Sequence, residues 1–176
     1  MYITNLNTEF EKAVRFITRY LPASDENSRK PVLFHSIRVG VYLYENGYGR
    51  DIVLSGILHD VIEWSEVNEQ MLKEEFGDAV TKLVLANTKD DSIVDQQERT
   101  NELIRRCVQN GRDAFIVKTA DIIDSFKWYT IQGNKEELKN HCVRNATAIF
   151  KFKPKDFNDK IFEELNNLQE QYESHN

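Results

Sequence analysis

Apolar side chains return every three or four positions along almost the whole chain, and no stretch alternates with period two over a useful length. A chain patterned this way folds from helices. Only seven Gly and three Pro interrupt its 176 residues, which favours long helices over closely spaced turns. Phe10, Val14, Ile17 and Leu21 form a first stripe, and a polar break over 24–29 follows. Pro31 suits a helix start, with Leu33, Ile37, Val41 and Tyr44 on one face and Gly47 just past the end. Asp51 reads as the N-cap of a helix through Ile52, Leu54, Ile57 and Leu58, and Asn68 and Asp78 as caps of two more. The polar, acidic stretch 87–95 reads as a surface loop. Helices resume over 96–108, 114–128 and 136–152; Pro154 stops the third, and Phe157, Ile161, Phe162, Leu165 and Leu168 mark a last one. The expectation is an all-α bundle of roughly seven to nine helices. Residues 1–176 are expected to form a single domain, large enough to bury a core without cross-links.

The charge balance narrows the partners. With a net charge of −6 and no dominant basic stripe, the chain is not expected to bind nucleic acid. A small anionic ligand remains compatible, because a metal and a few local cations can reverse the field in one pocket. Cys107 and Cys142 lack Cys-x-x-Cys spacing, so a reduced setting and a structural role are expected for both. No run approaches about 18 apolar residues, and the start of the chain lacks a charged-then-apolar signal design. No membrane association is expected, and the expected location is the cytoplasm.

One pair of residues does not fit a plain helical core. His59 and Asp60 stand side by side in Gly-Ile-Leu-His-Asp-Val-Ile-Glu, at the end of an apolar helical stretch. Both would face inward there, and an unpaired buried charge costs several kcal/mol. A divalent ion removes that cost by taking one nitrogen and one oxygen ligand. His35, 24 positions upstream of His59, and Asp121, 61 positions downstream of Asp60, suit the same purpose. His35, His59, Asp60 and Asp121 make a two-nitrogen, two-oxygen set with open positions for water. Such mixed sites suit Mn²⁺, Fe²⁺, Zn²⁺ or Co²⁺. The other histidines, His141 and His175, have no comparable partners in the pattern.

Glu63 lies three residues after Asp60, on the same face if the helix continues, where a carboxylate could orient a water or accept its proton. Asp124, three after Asp121, is a candidate supporting carboxylate. Candidate cations for a phosphate-bearing ligand are Arg38, one turn after His35, Lys118, one turn before Asp121, and the basic pair Arg29 and Lys30.

At these residues the chain resembles the HD-type metal-dependent phosphohydrolases, and within them the hydrolase domain of the RelA/SpoT alarmone enzymes and the stand-alone small alarmone hydrolases. The family's His after a proline-containing helix start is matched by Pro31 to His35. Its Leu-Leu-His-Asp-x-x-Glu-Asp is matched by Ile57-Leu58-His59-Asp60-Val61-Ile62-Glu63-Trp64. Phe76-Gly77 matches its Phe-Gly, Val80 to Val84 its Val-x-x-Leu-Val, and Lys118-Thr119-Ala120-Asp121 its Lys-Leu-Ala-Asp. The resemblance covers about residues 8 to 150. It implies a helical hydrolase that removes the 3′-pyrophosphate of guanosine tetra- or pentaphosphate with one divalent ion, Mn²⁺ in the family. His35, His59, Asp60 and Asp121 would be the ligands, and Glu63, with Asp60, would act at the reacting centre. Two positions depart from the family: Trp64 stands where it has an acid, and Ser125 where it has a nucleotide-holding Asn. Trp64 and Ser125 therefore join the substrate-binding candidates. A 5′-nucleotidase or other phosphomonoesterase on the same fold, and a nucleotide-sensing regulator without turnover, are the alternative expectations; the pattern leaves the oligomeric state open.

Overall fold

A computed structural model describes residues 5–23 and 30–174, and every regular element among them is helical. The described residues divide into two compact units at Thr88 and Lys89, inside the stretch expected to be a surface loop. Nine helices of eight residues or more occur among the described residues, within the expected range.

The first unit contains α1 (Leu6–Tyr20), α2 (Val32–Glu45), α3 (Arg50–Leu58), the short α4 (Val61–Trp64), α5 (Glu69–Phe76) and α6 (Asp78–Asn87). Its centre is α3, where every residue from Ile52 to Leu58 is buried, because α1, α2 and α6 all pack on it. Two glycines let α2 and α3 meet closely. A Cβ on Gly40 of α2 would stand 2.2 Å from Ile57 Cγ1, and one on Gly56 of α3 would stand 2.3 Å from Leu43 Cδ1. Both distances are far inside van der Waals contact, so this seam is closed to any larger residue without repacking.

The ends of these helices follow local chemistry. Pro31 occupies the N-cap of α2, as expected. Beyond α2, Gly47 takes φ +76°, a left-handed conformation that side chains with a Cβ resist. Asn68 caps α5 by accepting the Met71 N–H at 3.1 Å. Two expected caps move. Gly49, not Asp51, precedes α3, and Asp51 sits in the first turn beside Arg50, 2.7 Å away. Gly77 ends α5 and opens α6, which leaves Asp78 as the first residue of α6. In both first turns the carboxylate still lies at the positive end of the helix dipole.

The second unit contains α7 (Gln96–Gln109), α8 (Arg112–Ile131), the single turn α9 (Lys135–Glu137), a π-helical segment Leu138–Val143, α10 (Arg144–Phe152) and α11 (Lys160–Ser174). Here α8 is central, packed by α7, α10, α11 and the π segment, and it is buried continuously from Ala114 to Phe126. Asp95 caps α7 through the Glu98 N–H at 2.7 Å. The stretch expected as one helix over 136–152 is broken by the π segment. There Asn145 donates from its side chain to the His141 carbonyl at 2.8 Å, taking up an oxygen the regular ladder would use. No described helix is long and apolar enough to cross a membrane.

The glycine seam generates a direct test. Gly40→Ala should destabilise the chain by on the order of 1–3 kcal/mol through overpacking against Ile57. Gly49→Ser, where φ is ordinary and a Cβ meets open space, should be neutral or stabilising. Denaturant titration of both variants checks the contrast; equal effects would remove the seam as a constraint.

Candidate metal centre

The conformation of four consecutive residues builds this centre. Adjacent residues in an unbroken helix diverge by about 100° around its axis, which would separate the His59 and Asp60 side chains. Here α3 ends at Leu58 and α4 starts at Val61; His59 (φ −57°, ψ −32°) and Asp60 (φ −94°, ψ −6°) between them keep right-handed backbone, and their side chains nonetheless reach a common point. The His59 Nε2 and Asp60 Oδ2 atoms then lie 3.4 Å apart. His35, in the first turn of α2, reaches the same point: its Nε2 is 3.2 Å from His59 Nε2 and 3.7 Å from Asp60 Oδ2. All three residues are buried.

The hydrogen bonds around the imidazoles assign their lone pairs. His59 Nδ1 lies 2.8 Å from the Gly56 carbonyl, an acceptor, so this nitrogen carries the proton and Nε2 carries the lone pair. The Lys30 ammonium, a donor only, stands 2.9 Å from His35 Nε2, so that nitrogen too presents a lone pair. Two imidazole lone pairs and a carboxylate oxygen crowded away from water repel one another unless a cation is placed among them. Lys30 already supplies one positive charge at the edge. Two ligand atoms bound at about 2.1 Å and at right angles to one ion lie about 3 Å apart, close to the 3.2 Å between the imidazole nitrogens. The residues present therefore fit a divalent ion.

The remaining sequence candidates fall as follows. Glu63 is half-buried on α4, one turn beyond Asp60, and Arg38 is half-buried on α2, one turn beyond His35. Trp64 ends α4 and is exposed. Arg29 lies outside the described residues. In the second unit, on α8, Asp121 is buried and accepts from the Lys118 ammonium at 2.8 Å; Lys118 itself is only 3% exposed. Its charge is engaged with that carboxylate, one turn away. Ser125 is fully buried and donates to the Asp121 carbonyl at 2.9 Å, the usual resting place of a helical hydroxyl in a core. Asp124 is also buried.

Two contributors escape a reading of the sequence. Gly56 supplies the carbonyl that orients His59, and that role depends on the turn at the end of α3. Phe34, next to His35, is half exposed at 51%, although helical spacing alone would group it with ordinary surface or core positions. Cys107 and Cys142 are buried thiols. Burial pushes the Cys107 thiol up to about 12 against the attraction of Lys118 and Arg106, so it is no nucleophile near neutral pH.

Helices as the only regular elements among the described residues, with buried His35 and His59 converging beside Asp60 on a point that could hold an ion, define a helical domain with a candidate metal site. Residues 13–151 match the HD domain family, and the chain belongs to that family. It is 26% identical over 145 residues to the guanosine-3′,5′-bis(diphosphate) 3′-pyrophosphohydrolase of Aquifex aeolicus, covering 81% of this chain and 20% of that protein. It is 28% identical to the probable guanosine-3′,5′-bis(diphosphate) 3′-pyrophosphohydrolase of Mycoplasma pneumoniae, over 85% of this chain and 25% of the relative. A GTP pyrophosphokinase of Streptomyces coelicolor is 27% identical, over 84% and 18%. The chain thus spans about a fifth to a quarter of the length of these curated relatives. Among solved structures it is similar to one described as "A metazoan ortholog of SpoT hydrolyzes ppGpp and plays a role in starvation responses". That likeness has a TM-score of 0.71 at 20% identity and covers 97% of each chain. A protein from Listeria monocytogenes EGD-e aligns with a TM-score of 0.65 at 19% identity, over 85% of this chain and 99% of that one. These structural likenesses show the fold.

The raised Cys107 thiol carries a pH prediction. Its folded pKa of about 12 lies above the ordinary value of 9.0, so the unfolded chain loses this proton first. The contribution to stability is fully present below pH 9 and falls as pH rises from 9 towards 12. Cys107→Ala should shrink that alkaline loss, as read by denaturant titration across this range. The native chain should also resist thiol reagents at pH 8 until it is unfolded. Fast labelling of folded protein at Cys107 would contradict the burial.

Proposed function

We propose that this chain is a metal-dependent phosphohydrolase acting on a phosphorylated nucleotide, most closely a guanosine-3′,5′-bis(diphosphate) 3′-pyrophosphohydrolase. The observation that carries the reading is the buried cluster of His35 Nε2, His59 Nε2 and Asp60 Oδ2, whose lone pairs call for a cation. The names of the relatives support the choice of substrate. Asp121 is proposed as the fourth ligand on the strength of the sequence pattern. The unbroken family match over 13–151 supports treating residues on both sides of Thr88 as one functional domain.

A divalent ion held there, Mn²⁺ in this proposal, supplies polarisation of a phosphate oxygen and acidification of water. The protein's own groups do the rest. Glu63, one turn beyond Asp60, takes the proton of the attacking water. Lys30, already at the ligand cluster, neutralises phosphate charge, with Arg38 on the next turn of α2 and Arg29 as further candidates. Lys118 holds the Asp121 carboxylate in place and is available to phosphate only at the cost of that pair. Ser125 is carried as a substrate-binding candidate through its place beside Asp121 on α8. The two buried cysteine thiols support a reducing, cytoplasmic setting. The partner is a small nucleotide and neither nucleic acid nor membrane.

Two experiments test this reading. Purified chain should retain about one divalent ion, and His59→Ala and Asp60→Ala should each lose it, as measured by elemental analysis after gel filtration. Metal content at the wild-type level in either variant would refute the ligand assignment. With Mn²⁺, guanosine tetraphosphate should yield GDP and pyrophosphate. Glu63→Gln should keep the ion while kcat falls by at least ~10²-fold, the low end of acid–base contributions. An unchanged kcat in fully loaded Glu63→Gln would take Glu63 out of the reaction. Release of inorganic phosphate from nucleoside monophosphates would select the nucleotidase alternative, and affinity without turnover the sensing regulator.

A further inference from the structure

We propose that the Trp64 indole is the platform on which the base of a purine nucleotide stacks, beside the ligand cluster of the first unit. The inference deepens the nucleotide reading above and rests on it for the class of ligand. The segment around Trp64 is anchored without help from the indole. Val61 and Val67 are buried on either side, at 0% and 3% exposure. Ser65 Oγ donates to the Val61 carbonyl at 2.6 Å and accepts the Val67 N–H at 3.2 Å, which pins the turn that follows. The Trp64 N–H donates to the Asp60 carbonyl at 3.2 Å, so its backbone is held one turn from a proposed ligand.

A residue so firmly placed would normally bury its ring. Trp64 instead remains 38% exposed, and among the described residues its indole makes neither a hydrogen bond nor a ring contact. Phe34, 51% exposed and adjacent to His35, is likewise without a ring partner there. Two elements that carry cluster residues or follow them thus present an exposed aromatic, Phe34 on α2 next to His35 and Trp64 on α4 one turn after Asp60. An indole left in water retains a flat apolar face of the kind that base stacking covers. Lys30, at the same cluster, provides the charge that phosphates seek. An aromatic face held one turn from Asp60, together with the Lys30 charge at His35, would make a two-part receptor, for a base at one end and phosphates at the other. An indole also carries no charge, so it does not repel a polyphosphate as a carboxylate at this position would.

The test uses the full chain loaded with Mn²⁺, with GDP and inorganic pyrophosphate as probes. Trp128 is the second of the two tryptophans, so Trp128→Phe leaves Trp64 as the sole indole emitter. GDP should quench that emission saturably. Pyrophosphate, which has no base, should displace GDP without quenching. In the otherwise unaltered chain, calorimetric titration should find GDP weakened roughly 5- to 150-fold by Trp64→Ala, the range of base–aromatic stacking. The same variant should bind pyrophosphate and Mn²⁺ as before, and Trp64→Phe should recover most of the GDP affinity. Unchanged GDP affinity in Trp64→Ala, or equal losses for GDP and pyrophosphate, would overturn the platform. The hydrolase reading is separable. Quenching and selective GDP loss without turnover of any nucleotide leave the platform standing and remove the enzyme. Turnover whose kcat, but not KM, depends on Trp64 does the reverse.

Discussion

Two imidazole nitrogens and a carboxylate oxygen share a small volume closed to water, and their mutual repulsion is the constraint to which the first unit is built. The Nε2 atoms of His35 and His59 stand 3.2 Å apart; the Gly56 carbonyl at Nδ1 fixes the His59 tautomer, and the Lys30 ammonium meets His35 Nε2. Holding them there requires that α2 and α3 come unusually close, which Gly40 and Gly56 permit. His59 and Asp60 follow directly on the end of α3 at Leu58, in right-handed backbone that leads into α4. Gly56 contributes twice. Its missing Cβ admits Leu43, and its carbonyl takes the His59 Nδ1 proton. Lys30 supplies one positive charge to this arrangement, and a bound divalent ion would offset more of the repulsion among groups held away from water.

The second unit solves a related difficulty along one helix. Residues 114–126 of α8 are buried throughout, yet they include Lys118, Thr119, Asp121, Asp124 and Ser125. Thr119 and Ser125 return their hydroxyls to carbonyls one turn back. Lys118 and Asp121 neutralise one another at 2.8 Å. A buried ion pair of this kind adds little net stability, because desolvating two charges offsets much of their attraction. Lys118 gives the Asp121 carboxylate a fixed partner one turn away on the same helix.

Much of this was legible in advance, for identifiable reasons. Helices follow from a 3.6-residue period that depends only on neighbours along the chain. Asn68 capped as expected because an Asn side chain reaches its own helix's free N–H groups. Asp51 and Asp78 did not, because a glycine just upstream could start each helix and a carboxylate is equally useful inside the first turn. The interruption of 136–152 by a π segment had no periodic signature, since inserting one residue leaves the apolar spacing almost unchanged. Trp64 was a substrate-binding candidate by its place in the motif alone, with no signal for its burial. Its neighbours Val61 and Val67 filled the core and left it in solvent.

The sequence by itself determined the helical class, the short list of candidate ligating residues and the kinship of His35, His59, Asp60 and Asp121 to one pattern. These are matters of period, residue chemistry and order, all carried by the chain as written. Tertiary structure alone decided which atoms meet. That Nε2 rather than Nδ1 of His59 faces the cluster depends on a carbonyl three residues back at the end of α3. That Lys30 arrives at His35 depends on how the chain approaches α2. That Ser125 turns its hydroxyl to its own helix depends on burial. Each of these follows from three-dimensional packing, where a hydrogen bond or a missing Cβ fixes an orientation that no spacing along the chain encodes.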